Sequence, residues 1–453
     1  MNAAAGTGAA TTLGLVDAVR GLRIADFPAP VLAVARHSIL DFLGCAIAGA
    51  DDPLVDILVA ETALRERADQ ASLLGRTGRA TCRTAALVNG AAAHALDYDD
   101  THTTMMGHPS VPVLPAVFAL AEAEGCSGRR VVEAFVAGVE LECRLGGLLG
   151  PAHYVAGFHS TATLGAFGAA AAACHLLGLD EEAWLHALGL AGTGAAGLKV
   201  SFGTMAKPLH AGRAAATGVE AATFARRGFT AATSIFEAPQ GFAATHGGTS
   251  GDAAWLAAAR GRFFLRETLF KHHAACYLTH AAIEAAAFLR EAQNLTAGEV
   301  DEVEVRVAPT ALGVCNIAEP ATGLELKFSL CATTALVLLG EDTAAPASYS
   351  DDRARDPLLV ALRKRVRVVA DPALAPTAAV VTIRTDAGTF AATRDTGVPA
   401  EDLAGQESRL REKFLALAGP RLGDARAAHI VDLVASIEDL PDVAALVAAT
   451  QPG

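Results

Sequence analysis

From residue 13 to about residue 260, apolar residues return at every third or fourth position, and near Lys271 that rhythm gives way to alternation. A period near 3.6 marks helices that bury a face, and a period of two marks half-buried strands. The first pattern predicts helices over 31–48, 85–96, 113–124, 129–149, 161–177, 181–191 and 210–227. Gly-containing breaks separate many of them. The second predicts strands over 299–307, 365–370 and 378–385, then a turn at Asp386-Ala-Gly388 and a return strand over 389–394. Helical insertions are expected over 328–339 and 353–364, and the chain reads as helical again from residue 404. The architecture that follows is mainly α. A large all-helical domain is made of residues 1–265 and 404–453, and a smaller α+β lid domain with an antiparallel sheet, residues 266–403, is inserted between them.

Composition supports this reading. The chain is 52% hydrophobic but only 5% aromatic, and the excess is largely alanine, which favours helix. A chain of 453 residues exceeds one small core. The net charge of −13 carries no basic stripe, which argues against a nucleic-acid partner. The longest apolar stretch, 162–179, is interrupted by His175 and dense in alanine and glycine, so it suits a packed internal helix better than a membrane span. Residues 1–12 lack the basic start and apolar run of a secretory signal, and a cytoplasmic location is the expectation. Eight scattered cysteines without a C-x-x-C pair fit neither a disulfide framework nor a thiolate zinc site.

Four segments carry chemistry. Residues 89–115 end an apolar helix in Asp97, Asp99 and Asp100, then place His102 and His108 in a Gly/Pro-containing loop. His159 stands at a helix start beside Ser160 and Thr161. Lys207 lies three residues before His210. The fourth segment runs Lys271-His272-His273-Ala-Ala-Cys276. Only six of the 36 basic residues are lysines, so lysine is sparing, and it is the cation whose pKa burial can tune. Lys207, Lys271 and Lys327 sit in polar segments, whereas Lys364 and Lys413 read as surface-helix residues. The run Gly192-Thr-Gly194-Ala-Ala-Gly197 matches a dinucleotide fingerprint in letters only, because a helix and not a strand precedes it. No spacing of histidines matches a metal motif, so neither a metal nor an organic cofactor is expected.

In their order along the chain these segments resemble the MmgE/PrpD family, which includes 2-methylcitrate dehydratases, cis-aconitate decarboxylases and an iminodisuccinate epimerase. The resemblance rests on N-G-x-x-x-H-x-L-D-Y-D-D-T-H and G-H-P-S, then G-F-H-x-T-x-T-x-G, K-P-L-H-x-G, F-K…C-x-x-T-H and L-K-F-S-L. It implies a homodimer that acts without cofactor on a small di- or tricarboxylate. It places catalytic roles on His108, His159, Lys207 and Asp97, and substrate binding on Thr101, His102, Lys271, His272 and Cys276. One residue is inserted between Thr101 and His108 relative to the decarboxylases. They also carry a histidine where this chain has Cys276, and a tyrosine near the place of Val314 or Cys315. A dehydratase is therefore expected first and an epimerase second. A decarboxylase comes after these, as does a carboxylate-binding relic without activity. Cys276 follows Ala274-Ala275, and such apolar surroundings are expected to raise a thiol pKa.

Overall fold

The computed structural model describes residues 11–66, 68–247 and 253–452; most of the Ala/Gly/Thr-rich start lies outside them. Each helix read from the periodicity is present. They are α1 (Ala29–Gly49), α2 (Cys82–Ala95), α3 (Ser110–Ala123), α4 (Gly128–Leu149), α5 (Ser160–Leu177), α6 (Glu181–Gly194) and α7 (Ala206–Ala225). Three of the starts are capped by short polar side chains. Thr81 accepts from the Thr84 amide, Ser127 from Arg130 and Asp180 from Ala183. Helix α5 ends at Gly178, whose left-handed φ of 65° closes it. By length and composition α1 and α5 could cross a membrane, but both are largely buried inside the protein.

The all-helical expectation needs one correction. A short antiparallel hairpin, β1 (Ala71–Ser72) and β2 (Arg79–Ala80), sits among these helices.

The later strands are β3 (Glu302–Val307), β4 (Val366–Ala370), β5 (Ala378–Thr385) and β6 (Gly388–Asp395). They form one sheet in the order β4-β3-β5-β6. β3 alternates as read, burying Val303, Val305 and Val307. The sheet is mixed and not antiparallel: β3 pairs β4 in parallel, with Val305 opposite Val368, while β3–β5 and β5–β6 are antiparallel. Parallel pairing needs a long crossover, and the helical insertions between residues 307 and 366 supply it. The second insertion is broken where Asp356 precedes Pro357, giving Asp351–Ala354 and Pro357–Arg363. Helix α8 (Tyr277–Ala292) packs on β5 and β6, and α9 (Leu403–Leu422) returns along α1.

Buried apolar side chains form two clusters. The larger runs from Leu15 to Phe270 and takes in Leu410, Phe414 and Ile430. The smaller spans Ala274 to Ala392 and reaches back to Cys45, Tyr98 and Leu417. Within the larger, α2 and α7 cross at two glycines: a Cβ on Gly90 would stand 2.8 Å from Gly212 Cα. That approach brings the end of α2 beside the start of α7.

Candidate active site

Helix α2 stops at Leu96, and Asp97 turns away with φ 50°. A non-glycine residue enters this left-handed region at a cost and is found there mostly at sites that need the geometry. The turn buries the Asp97 carboxylate, 2% exposed. Its Oδ1 accepts from Lys207 Nζ at 2.6 Å and from Lys271 Nζ at 2.8 Å. Lys271 also donates to the Asp97 carbonyl at 2.7 Å. Burial alone would raise the Asp97 pKa, but the two ammonium groups outweigh it and hold the carboxyl well below its usual range. The same balance keeps Lys271 charged: burial opposes its proton, and Asp97 and Asp99 outweigh burial.

Asp99 is a second hub. It accepts from His94 Nδ1 at 2.8 Å and lies 3.1 Å from His108 Nδ1. His108 Nδ1 is also 2.7 Å from the Asp100 carbonyl. Both neighbours of that nitrogen are acceptors, so Nδ1 carries the proton and Nε2 is the free nitrogen. Nε2 stands 3.8 Å from Asp97 Oδ1. Burial lowers His94 to about 3 and His159 well below the ordinary histidine value, Lys207 adding to the latter, so both rings are neutral near pH 7. His159 Nδ1 lies 3.1 Å from His210 Nδ1. If His159 donates in that pair, its Nε2 is left as an unprotonated base.

These groups close one end of a cleft of about 480 Å³, lined by Asp97, His108, His159, Lys207, Lys271 and Cys276. A separate cavity of about 310 Å³, among Asp17, Arg20, Arg23 and His175, holds none of the expected residues.

Thr101 and His102 line the cleft with their side-chain polar atoms bonded to the protein itself, and His272 lies outside the lining. His102 is fully buried; its Nε2 donates to the Phe264 carbonyl at 2.8 Å and its Nδ1 accepts from the Thr104 amide at 3.2 Å. Both ring nitrogens are spent on pinning the loop. Thr101 donates to the Gly107 carbonyl and its backbone pairs with Leu269. His272 is not among the cleft's lining; it lies near Arg409, Lys413 and His273, and burial pushes it down to about 3. Cys276 does line the cleft, but its thiol is held below its ordinary value, because hydrogen bonding by Cys315 outweighs burial. The expectation of a raised value fails there.

Lys413 is no surface lysine. It is 8% exposed and donates to Asp41 at 2.6 Å and to the carbonyls of Tyr98 and Lys271 at 2.6 and 3.0 Å, bracing both chains behind the site. Lys327, which the sequence reading left without a role, donates to the Leu96 carbonyl, and burial pulls it down to about 8. His94 and His210 were also passed over. Each stands three positions from a site residue along the chain, His94 before Asp97 and His210 after Lys207, and helical i,i+3 spacing was the available signal for His210.

The fold also gathers a set that no sequence spacing announced. Ligand atoms of His94, Asp97, Asp99 and His108 all lie within 4.8 Å of one another and could hold a cation. Yet Asp97 Oδ1 already faces two ammonium groups and Asp99 two imidazole nitrogens. A divalent ion would compete with four positive or hydrogen-bonding partners, so the donor set fits a metal poorly.

Human cis-aconitate decarboxylase is 28% identical across 96% of this chain and 93% of its own length. The mouse protein of that name is 27% identical across 94% and 91%. A cis-aconitate decarboxylase of Aspergillus terreus is 33% identical over 48% of this chain and 46% of its own. The MmgE/PrpD N-terminal domain matches residues 14–253 and the MmgE/PrpD C-terminal domain residues 273–439, and the chain belongs to the MmgE/PrpD family.

Proposed function

We propose that this enzyme removes a proton α to a carboxylate of a small di- or tricarboxylic acid and then expels a β-hydroxyl as water, with no metal or organic cofactor. The observation that carries the reading is the pair of lysines converging on Asp97 Oδ1 at one end of a cleft that also holds neutral His159. An α-proton is weakly acidic, so its removal requires preorganised positive charge where the enediolate forms. Lys207 and Lys271 supply that charge in a site shielded from water. His159 takes the proton at Nε2, and His210 holds its tautomer through the Nδ1 contact. His108 acts as the doubly protonated imidazolium: its Nδ1–H is fixed by Asp99 and the Asp100 carbonyl, and it delivers its second proton from Nε2 to the departing hydroxyl, leaving the neutral Nδ1–H ring. An acid with no leaving group would instead be reprotonated, giving epimerisation. The expected homodimer and cytoplasmic location belong to the same proposal; light scattering at micromolar concentration tests the first.

A second reading, decarboxylation, is favoured by the names of the relatives. Against it stands Cys276 in the cleft, where the decarboxylases carry a histidine: a thiol is a poorer proton donor to a carbanion than an imidazolium. The experiment is incubation with citrate, 2-methylcitrate, cis-aconitate and iminodisuccinate in deuterated water. NMR then follows deuterium at the α-carbon, and released CO2 is measured in parallel. Exchange with water loss supports the dehydratase, exchange alone the epimerase, and efficient CO2 release from cis-aconitate overturns both in favour of the decarboxylase.

A further inference from the structure

Little positive charge is left over at the reactive end of the cleft. Lys207 and Lys271 each spend an N–H on Asp97 Oδ1, at 2.6 and 2.8 Å, and Lys271 spends another on the Asp97 carbonyl. Two ammonium groups against one carboxylate leave a single surplus charge. His108 faces Asp99, which His94 already occupies. Among the described residues lining the cleft none is an arginine, the side chain whose planar fork binds a carboxylate through both oxygens.

The rest of the wall is mostly apolar. Met106, Pro151, Tyr154, Leu278, Val314 and Phe328 line it. Several hydroxyls there are committed elsewhere: Thr101 donates to the Gly107 carbonyl, Tyr277 to the Thr396 carbonyl and Thr377 to Asp395. A carboxylate pressed against such a wall gives up its water and gains no charged partner. An alkyl or aryl group there gains by leaving water. The volume, about 480 Å³, is within the usual range for small organic ligands.

We propose that the substrate carries at most two carboxylates, held at the lysine end, together with an alkyl or aryl substituent that lies against Leu278, Val314 and Met106. This rests on the proton-abstraction reading above and narrows its substrate class.

Matched acids test it. Citrate is malate carrying a carboxymethyl group at the hydroxyl carbon, and 2-isobutylmalate carries an isobutyl group at the same place. The purified enzyme is given 2-methylmalate, 2-isobutylmalate, 2-benzylmalate, citrate and 2-methylcitrate in deuterated water, and kcat/KM for exchange or water loss is measured for each. The expected result is a value at least tenfold higher for 2-isobutylmalate than for citrate, rising from methyl to isobutyl. Val314→Arg, or Leu278→Arg if the first fails to fold, should move the ratio toward citrate by placing a cation on the wall. Equal values, or a preference for the tricarboxylates in the unmodified enzyme, overturn the proposal and leave proton abstraction standing. No exchange into any of these acids overturns proton abstraction itself, and this proposal with it.

Discussion

Gly212 on α7 packs its backbone against Gly90 on α2 so closely that a Cβ on Gly212 would fall 3.0 Å from the Leu87 carbonyl carbon and closer still to its oxygen. This crossing sets the distance between Lys207, one and a half turns before Gly212, and Asp97, just past the end of α2. Backbone stands on both sides, so neither helix can yield by turning a side chain.

Gly212→Val therefore forces the helices apart. Overpacking in a close-packed core costs about 1–3 kcal/mol and more where backbone must move. Urea unfolding should show a loss of at least about 3 kcal/mol, and the variant should lose activity as Lys207 withdraws from Asp97. Unchanged stability would mean that the crossing is looser than described.

Acid should weaken the fold at two buried histidines. Burial lowers His37 to about 4 and His94 to about 3, against about 6.5 in the unfolded chain. Between those values the unfolded state binds a proton that the folded state refuses, so stability falls as pH falls. Each histidine contributes about 1.4 kcal/mol per pH unit across that window. Between pH 7 and pH 4.5 the stability of a His37→Gln variant should fall less than that of the parent, and equal falls would contradict the burial of that ring.

Asp99→Asn tests the tautomer argument. An asparagine in this place can offer an N–H to His108 Nδ1 and so free the wrong nitrogen. Turnover should fall by about a hundredfold or more, the usual scale for a misplaced acid or base, while circular dichroism stays native. A rate within a few fold of the parent would remove Asp99 from its role.

Chelation should leave the enzyme working. His94, Asp97, Asp99 and His108 are close enough to hold a cation, but Lys207 and Lys271 already neutralise the carboxylate such an ion would need. Dialysis against a strong chelator is expected to change the rate less than twofold. A loss restored by one divalent ion would show that the ammonium groups move aside for a metal.

The elements were legible because period follows directly from side-chain pattern. The strand at 378–385 was read with the bounds it has, and α5 differs by one residue. The direction of β4 was not legible: alternation says which face is buried but nothing about which neighbour a strand takes or which way it runs. His94 was hidden because it stands in an alanine run, and its partner Asp99 becomes a neighbour only after the Asp97 turn. Lys413 was misread because it lies on α9, a helix otherwise rich in exposed polar residues, and the one buried lysine among them has no local signature. His102 and His108 share a loop and a residue type, and both line the cleft; which one keeps a free ring nitrogen depends on Phe264, far along the chain, whose carbonyl captures His102.

The central claim is that His159 and the lysines around Asp97 move and stabilise a proton next to a carboxylate. It is tested most directly by the rate of solvent-deuterium incorporation at the α-carbon of an accepted acid, compared among the parent enzyme, His159→Ala and Lys207→Ala at neutral pH. Both variants should remain folded, and each should exchange at least about a hundredfold more slowly than the parent. Exchange at near-parental rates in either variant would place the chemistry on other residues and contradict this account.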